Sequence, residues 1–288
     1  MEWMALANKL IRKSLIATGV SSETVVLNGT EVHFYRAKRG GSGPPLLLVH
    51  GLGSSANAFF RTLQPLAKKF SEVIAIDLPG NGFSPSPRGG PLALRNYVEL
   101  LMQFRRDVIG QRVFLVGNSL GGGMALNFAF NDPDSLHALG LVSPAGAKVA
   151  DERFAALLDS FRVNDAKEAR VLAHKLFARP PLGILVFADE LRKMVSTDTV
   201  KAIVKEVSPA DMVSPADVAK LKMPVLLIWG RSEKLLPYEG LDFFRAHLPP
   251  HSEIHEVDGF GHMPQMEHPK LFVERVERFA RNHKLVPH

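Results

Sequence analysis

Cysteine is absent from this chain of 288 residues. Its absence excludes a disulfide scaffold, thiolate metal ligands and a cysteine nucleophile. Long apolar runs are missing too: the longest, such as residues 224–229 (PVLLIW), have the length of a strand and fall short of the ~20 residues that span a bilayer. The patterns G-x-x-x-x-G-K-S/T and G-x-G-x-x-G do not occur, which argues against a loop that cradles phosphate.

The charge of the chain is basic but scattered, with a formal net charge of +6. No stripe of basic residues interleaved with aromatic residues appears, so we expect a solvated basic surface and no nucleic-acid partner. With 46% hydrophobic and 22% charged residues, the composition is that of a soluble globular protein. The start of the chain lacks the charged-then-apolar order of a secretory signal, so we expect a cytoplasmic protein.

The first 20 residues are the one segment whose pattern suggests a surface partner. Apolar residues recur there at helical spacing and basic residues fall largely on the other side, which predicts an amphipathic N-terminal helix over residues 1–20. Two roles stay open: packing on the rest of the protein, or weak contact with a membrane surface. The apolar set is Trp3, Leu6, Ala7, Leu10, Ile11 and Ala17, and the polar set is Asn8, Lys9, Arg12 and Lys13.

Short apolar strands alternate with longer amphipathic segments through most of the chain. This order predicts an α/β fold in which a mostly parallel central sheet carries helices on both faces. Asn28-Gly29, between the first two strands, is typical of a tight hairpin, because both residues tolerate positive φ. The predicted strands span 24–27, 32–35, 46–49, 73–76, 113–116, 138–142, 225–229 and 253–257, and the predicted helices span 56–69, 92–108, 120–130, 241–247 and 269–282.

The stretch GNSLGGG at residues 117–123 crowds glycines around one serine at the end of a predicted strand. Gly117, Ser119 and Gly121 form the pattern G-x-S-x-G, in which a serine occupies a sharp strand-to-helix turn with no room for side chains beside it. In sheets of this class, ligands bind at the carboxyl ends of the strands. Ser119 is therefore the candidate nucleophile.

A serine nucleophile needs a base that is held by a third group. His262, in the loop GFGHMP, follows the last predicted strand, and Glu233, in the loop WGRSE, follows the strand before it. The chain order Ser119, Glu233, His262 is that of hydrolases with a nucleophile elbow. Two other carboxylates compete for the third position: Asp258 is expected to be a turn residue, and Asp151 would serve only if the acid had moved to the loop after residue 142.

Along nearly its whole length, the chain resembles the α/β-hydrolase-fold serine hydrolases. The elbow and the loops of Glu233 and His262 carry this resemblance, together with HGLG at residues 50–53, which is similar to the family's oxyanion loop, and DLPGNGFS at residues 77–84, which is similar to its loop after the fourth strand. The family usually has aspartate where this chain has Glu233, which adds one methylene between backbone and carboxylate.

The resemblance implies a catalytic triad of Ser119, His262 and Glu233. It also implies an oxyanion hole made by the backbone N–H groups of Leu52 and Leu120. The serine distinguishes the chain from members of the same fold that use an aspartate nucleophile, such as haloalkane dehalogenases and epoxide hydrolases.

Strand alternation stops between residues 144 and 222. Helices are predicted there at 153–162, 166–178, 185–195 and 199–206. A structureless loop of this length would be unusual in a compact domain, and in the resembling family such an insertion is a cap over the serine. The chain is therefore interpreted as a core of residues 21–143 and 223–288 with a helical cap of residues 144–222. The apolar cap residues predicted to bind substrate are Phe154, Leu158, Phe161, Leu176, Phe177 and Phe187.

These assignments predict a hydrolase that cleaves carboxylic esters with apolar acyl chains of short to medium length, through an acyl-enzyme on Ser119. A monoacylglycerol-like lipid ester would suit the basic N-terminal helix. This chemistry requires no cofactor and no metal.

Two alternatives to the ester hydrolase stay open. One is a carbon–carbon hydrolase acting on ring-cleavage diketones, because Gly117-Asn118-Ser119 resembles the elbow of those enzymes; they tend to carry an aromatic residue after the histidine, where this chain has Met263. The other is a non-catalytic binding protein on the same scaffold.

Overall fold

The computed structural model describes residues 3–287, with side chains from residue 5 onwards. In that range the strands form one sheet whose order is β1-β2-β4-β3-β5-β6-β7-β8, with bounds β1 (Ser21–Leu27), β2 (Thr30–Ala37), β3 (Leu46–Val49), β4 (Val73–Ile76), β5 (Val113–Asn118), β6 (Leu136–Val142), β7 (Val225–Gly230) and β8 (Glu253–Val257). β2 pairs antiparallel with β1 and β4, and the remaining neighbours pair in parallel. The predicted fold class, with its mostly parallel sheet, is confirmed.

Helices cover both faces of this sheet. Short 3₁₀ turns at Ala56–Phe59, Pro133–Ser135 and Pro209–Asp211 and a π turn at Arg105–Ile109 accompany them. The helices are α1 (Trp3–Ala17), α2 (Leu63–Ala67), α3 (Leu94–Phe104), α4 (Leu120–Asn131), α5 (Asp151–Asp159), α6 (Ala166–Leu176), α7 (Leu182–Val186), α8 (Ala188–Val195), α9 (Asp198–Glu206), α10 (Pro215–Ala219), α11 (Glu239–His247), α12 (Pro264–Glu267) and α13 (Pro269–Asn282).

The central strand β3 shows why its sequence is a continuous apolar run. Successive side chains of a strand point to opposite faces, so a strand covered on both faces needs apolar residues at every position. Leu46 and Leu48 join the core on one face, where α2 and α13 pack, and Leu47 and Val49 join the core on the other, beneath α3 and α4. All four residues are fully buried.

The predicted hairpin between β1 and β2 is present. Asn28 and Gly29 have φ values of 47° and 78°, and the register runs from Leu27 opposite Thr30 to Ser21 opposite Arg36. Positive φ at both turn residues is the geometry that Asn-Gly favours.

Two predicted helices are wrong as continuous elements. The helix predicted over residues 185–195 is interrupted at Phe187, which separates α7 from α8. The segment predicted as a helix over residues 56–69 instead forms the 3₁₀ turn Ala56–Phe59 and then the short helix α2. Pro65 explains the break, since its ring clashes with the carbonyl group four residues earlier in a continuous helix and is tolerated only in the first turn. The hydroxyl of Thr62 donates to the carbonyl oxygen of Phe59 at 2.9 Å and closes the first turn before α2 begins.

The N-terminal helix uses only part of the predicted apolar side for packing, with Ile11 half-buried against the core. Leu15 is buried, and Asn8, predicted to be on the polar side, accepts a hydrogen bond from the side chain of Asn57 at 2.9 Å. Leu6 and Leu10 are instead 37% and 56% exposed. Residues 1 and 2 and the side chain of Trp3 lie outside the described part of the chain. Among residues 3–287, no helix has the length and apolar character needed to cross a membrane.

Residues 144–222 contain six of the helices, α5 to α10, inserted between β6 and β7. Three of them have side-chain caps at their first turn: Asp165 accepts the backbone N–H of Glu168, Thr197 accepts that of Val200, and Ser214 accepts that of Asp217. Such caps satisfy backbone donors that have no partner within the helix. Residues of α5 and α9 line the cavity that Ser119, at the carboxyl end of β5, also lines.

Candidate active site

Ser119 lies in a sharp turn between β5, which ends at Asn118, and α4, which begins at Leu120. Its φ of 56° and ψ of −121° lie in a sparsely populated region that costs a non-glycine residue roughly 1–3 kcal/mol unless neighbouring contacts hold it. The contacts are present: the Ser119 N–H donates to the carbonyl oxygen of Val142 at 2.9 Å, and the Ser119 carbonyl oxygen accepts the N–H of Gly122 at 2.8 Å.

Two glycines beside Ser119 are required by close approach of the backbone. A Cβ on Gly117 would lie 2.1 Å from the carbonyl oxygen of Gly121. A Cβ on Gly121 would lie 2.5 Å from the carbonyl oxygens of Val49 and His50. These separations are far inside van der Waals contact. The glycines thus let β3, β5 and α4 converge at the serine.

His262 and Glu233 form a buried hydrogen-bonded pair. The Glu233 Oε2 accepts from the His262 Nδ1 at 2.8 Å, and both side chains are 2% exposed. The Glu233 Oε1 accepts the backbone N–H groups of Leu235 and Leu236 at 2.8 and 3.1 Å. One carboxylate oxygen therefore anchors the side chain, and the other meets the imidazole despite the additional methylene of glutamate.

The electrostatics keep Glu233 ionised. Burial alone would raise the pKa of this carboxyl group, but the attraction of His262 and the hydrogen bonds from His262, Leu236 and Leu235 outweigh burial and hold the pKa below its usual value. The competing carboxylates are placed differently. The Asp258 side chain is 87% exposed and lies 3.5 Å from Arg231, and Asp151 is exposed at the start of α5.

Asn118 and Gln265 hold the histidine loop against the elbow, a role that was not predicted from the sequence for either residue. The Asn118 side-chain amide donates to the carbonyl oxygens of Val142 and His262 at 3.1 and 3.0 Å. Gln265, which is fully buried, donates to the Asn118 Oδ1 at 3.1 Å. A polar residue at the end of an otherwise apolar strand is the signal that could have identified Asn118, since buried amides need partners.

Glu267 joins the same loop to the cap. Its two carboxylate oxygens accept the backbone N–H of Gly261 at 2.9 Å and that of Ala178 at 2.7 Å. The His262 N–H donates to the carbonyl oxygen of Leu176 at 3.1 Å. Burial raises the pKa of Glu267, although the backbone hydrogen bonds act in the opposite direction. The position of His262 thus depends on both the core and the cap.

The His262 Nε2 is the free end of the imidazole. Within residues 3–287 it is buried and has no hydrogen-bond partner, while Asn118 holds the His262 backbone beside the elbow. Hydrogen bonds between catalytic groups are often long before substrate binds and tighten in the complex. Nε2 is therefore the ring nitrogen that the described residues leave without a partner, on a loop that Asn118 holds beside the elbow.

Backbone N–H groups from two loops approach Ser119. Leu120 is the first residue of α4, where N–H groups lack partners within the helix and the helix dipole is positive. Leu52 follows Gly51, which lies so close to the elbow that a Cβ there would be 3.0 Å from the Ser119 Cβ. Leu52, Ser119 and Leu120 also line one cavity. The backbones of Leu52 and Leu120 therefore lie on two segments that meet at Ser119.

His50 stabilises the loop that carries Leu52. Its Nδ1 donates to the carbonyl oxygen of Gly51 at 2.8 Å, and its Nε2 accepts the N–H of Leu78 at 3.1 Å. One nitrogen donates and the other accepts, which is the pattern of a neutral imidazole, and burial lowers the pKa of His50. Both nitrogens are occupied, so His50 has a structural role in this loop.

A narrow cavity of about 80 Å³ extends from Ser119 beneath the cap. We call it the apolar cavity. Of the cap residues predicted from the sequence, Phe154, Leu158 and Phe161 line it. Its other walls include Ile203, Val204, Val207, Met212, Trp229 and Leu236.

The remaining predicted cap residues lie away from this cavity. Leu176 and Phe177 are buried at the seam between the cap and the histidine loop, and Phe187 is 40% exposed between α7 and α8. Leu176 and Phe177 attach the cap to the core, and Phe187 lies at the surface of the cap. A helix that packs on a domain buries one apolar side whether or not that side contacts a ligand.

The fold agrees with a family comparison. The family model described as the alpha/beta hydrolase fold matches residues 44–269 of the chain, which includes the elbow, the cap and the loops of Glu233 and His262. The protein belongs to the α/β-hydrolase-fold family.

Individual relatives within this family differ in what they act on. The chain is 30% identical over 274 residues to an uncharacterised protein of Mycobacterium tuberculosis, covering 86% of this chain and 79% of the relative. It is 26% identical over 260 residues to a pimeloyl-[acyl-carrier protein] methyl ester esterase of Aeromonas salmonicida, covering 84% and 98%. It is 25% identical over 291 residues to a 2-hydroxy-6-oxo-2,4-heptadienoate hydrolase of Pseudomonas putida, covering 91% and 98%.

A solved structure shares the whole architecture. The crystal structure of a membrane phospholipase A described as a bacterial virulence factor superimposes with a TM-score of 0.84, covering 98% of this chain and 91% of that one at 23% identity. At this identity the similarity establishes the fold. Esterases and carbon–carbon hydrolases are both represented among the relatives, so the choice between these reactions depends on the site.

Proposed function

We propose that the protein is a serine hydrolase that cleaves carboxylic esters with apolar acyl chains of short to medium length. The observation that carries the proposal is the buried Glu233–His262 hydrogen bond of 2.8 Å, set beside a strained serine that opens on an apolar cavity. Glu233 holds the Nδ1–H tautomer, which leaves the Nε2 free to take a proton.

The reaction then proceeds through an acyl-enzyme. The His262 Nε2 removes the proton from Ser119 as the hydroxyl oxygen attacks the ester carbonyl, and the N–H groups of Leu52 and Leu120 stabilise the oxyanion. His262 returns the proton to the leaving alcohol. It then activates water, which releases the acid and regenerates Ser119. Glu233 stabilises the imidazolium formed in each half of the reaction.

The lining of the cavity supports an apolar acyl group. Its side chains are aliphatic or aromatic apart from the Ser119 hydroxyl and the Trp229 indole. A polar acyl group would lose its hydrogen bonds to water there, at a cost of roughly 1–3 kcal/mol for each buried group. An unsubstituted acyl chain gains about 0.8 kcal/mol for each methylene that it buries.

We expect kcat/KM to rise from acetate to hexanoate in a series of soluble 4-nitrophenyl esters, by about threefold to fourfold for each methylene that the cavity buries. Initial rates at equal soluble concentrations measure this slope. Faster turnover of acetate than of butyrate and hexanoate would show that the cavity does not receive the acyl chain.

A carbon–carbon hydrolase is the second candidate, and the Pseudomonas putida relative supports it. The substrate named for that relative is a carboxylate, which needs cationic or hydrogen-bonding partners when it is buried. No cationic side chain lines the apolar cavity in the described part of the chain. The lining therefore favours the ester, and a ring-cleavage diketone assayed beside the ester series separates the two reactions.

Contact with an anionic lipid surface through α1 is part of the same proposal. The outer side of this helix exposes Leu6, Leu10 and Ile16, with Lys9 and Lys13 between them. The helix sequence contains no acidic residue. Exposed apolar side chains flanked by lysines suit the boundary between headgroups and acyl chains of such a surface.

Replacing Leu6 and Leu10 together with glutamine is expected to reduce sedimentation with phosphatidylglycerol vesicles several-fold, because two apolar side chains lose their burial in the lipid. Val171→Gln is the matched control, since Val171 is 54% exposed on α6. Equal sedimentation of the double variant and the wild type, or no sedimentation of the wild type, would exclude this contact.

A further inference from the structure

The apolar cavity adjoins two surface grooves. The first, which we call the α3/α4 groove, lies between α3, α4 and residues 206–217 and has a volume of about 750 Å³. The second, which we call the cap groove, lies between residues 158–164 and α9 and has a volume of about 570 Å³. The apolar cavity shares wall residues with both grooves, so each wall is thin.

The wall towards the cap groove consists of bulky, branched or aromatic side chains. Its shared residues are Leu158, Phe161, Val204 and Val207. Phe161 and Val204 are only 9% and 8% exposed. Branched and aromatic side chains held in a packed core have few alternative rotamers, so this wall opens only if the helices separate.

The wall towards the α3/α4 groove has smaller and more adaptable side chains. Its shared residues are Leu120, Ala145, Gly146, Val207 and Met212, of which two have little or no side chain. Met212 is half-buried and follows the 3₁₀ turn Pro209–Asp211. A methionine side chain is unbranched and has three rotatable bonds, so it can turn aside while the backbone stays in place.

We propose that acyl chains longer than the apolar cavity pass Met212 into the α3/α4 groove, so that Met212 sets the longest chain that the site accepts. This rests on the ester hydrolysis proposed above and extends it beyond short and medium chains. The scissile carbonyl lies at Ser119, the proximal methylenes fill the apolar cavity, and the distal part of the chain continues between α3 and α4.

The charges of the two grooves make the route testable. The α3/α4 groove is lined by Arg95 together with the carboxylates of Glu206, Asp211 and Asp217, so its ionisable residues carry a negative excess. The cap groove is lined by Arg162, Lys201 and Lys205, and no acidic residue of the described chain lines it. A chain that ends in a carboxylate is therefore repelled in the first groove and attracted in the second.

Substitutions at Met212 test the route directly. Relative to hexanoate esters, kcat/KM for hexadecanoate esters is expected to rise about tenfold in Met212→Ala, where the wall is removed, and to fall about tenfold in Met212→Phe, where a rigid ring closes it. The readout is the ratio of kcat/KM for hexadecanoate to that for hexanoate, so that any change common to both chain lengths cancels. Met102→Ala is the matched control, since Met102 is also half-buried but lines neither the cavity nor the grooves.

A binding measurement separates this inference from the proposed reaction. Trp229 lines the apolar cavity, and Trp3 is the other tryptophan of the chain. In a Ser119→Ala, Trp3→Phe background, octadecanoic acid brominated at mid-chain should quench the fluorescence of Trp229. Its Kd should decrease when Met212→Ala is added and increase when Met212→Phe is added.

The outcomes distinguish the two proposals. Loss of the Met212 effect in both kinetics and quenching, or an equal effect of Met102→Ala, overturns the route. A preference for hexadecanedioate half-esters over hexadecanoate esters, with no Met212 effect, assigns the chain to the cap groove and also overturns it. If no ester is cleaved but Met212 still controls quenching, the reaction is wrong and the route stands.

Discussion

Ser119→Ala is expected to lose about 10⁶ in kcat on a soluble ester, the size of effect found when a serine-protease triad loses its nucleophile. Alanine keeps the backbone of the elbow but removes the oxygen that forms the acyl-enzyme. A fluorophosphonate probe should label the wild type and leave the variant unlabelled, and the initial burst of 4-nitrophenol should disappear.

Ser143→Ala is the control for this experiment. Ser143 also follows a strand of the sheet, is buried and has a positive φ of 39°, but it does not line the apolar cavity. It should keep both labelling and turnover. Equal labelling of Ser119→Ala and the wild type would exclude Ser119 as the nucleophile, and a wild type without labelling or burst would favour a binding protein on this scaffold.

Glu233→Gln is expected to lower kcat by about 10⁴, as the loss of the orienting carboxylate does in the serine-protease triad. The reason follows from the two contacts of the carboxylate. Leu235 and Leu236 donate to Oε1, so the amide oxygen of glutamine stays on that side and its NH₂ group faces the His262 Nδ1. Nδ1 must then accept, which places the imidazole proton on Nε2 and prevents it from acting as a base.

Two variants control for loss of fold and for the wrong acid. Glu233→Asp keeps the charge and should retain far more activity than Glu233→Gln, since only the reach of the carboxylate changes. Asp258→Asn should stay within about twofold of wild type, because solvent-exposed ion pairs contribute little. A fall of less than tenfold in Glu233→Gln, or an equal fall in Asp258→Asn, would reassign the acid.

Glu233→Gln should also change how the free energy of unfolding depends on pH. The pKa of Glu233 is held below its usual value of 4.5 in the folded protein. A carboxyl group whose pKa is lowered by folding stabilises the folded protein at pH values above its pKa in the unfolded chain. That stabilisation is lost as the pH falls through its pKa in the folded protein. The free energy of unfolding of Glu233→Gln should therefore depend less on pH below 4.5 than that of the wild type.

Much of the fold could be predicted because its strands carry a strong local signal. β3, β4 and β8 begin and end at the predicted residues, since a strand covered on both faces is marked by an uninterrupted apolar run or by turn residues at its ends. The helix at residues 56–69 failed because its apolar pattern was followed across Pro65. The steric effect of one proline outweighed a periodicity that extended over several turns.

The candidate site was predictable to a similar extent. The glycines around Ser119 identify the elbow, because only a close approach of backbones requires Gly117 and Gly121 together. Asn118 and Gln265 were missed as a pair, although their hydrogen bond joins the serine and histidine loops. They are 147 residues apart in the chain, and no local pattern relates two positions so distant.

The sequence by itself determined the order of strands and helices, the serine at the carboxyl end of β5 and the order of the three proposed catalytic residues, because these depend on local geometry and on which residues avoid water. Only the tertiary structure decided that Glu233 and not Asp258 contacts His262. It also decided that Asn8 and not Leu10 faces the core. In the cap, it decided that Leu176 lies at the seam with the histidine loop while Met212 lines the apolar cavity. Periodicity reports that a side chain is buried. Which neighbour buries it depends on packing between distant segments, and that information exists only in the folded chain.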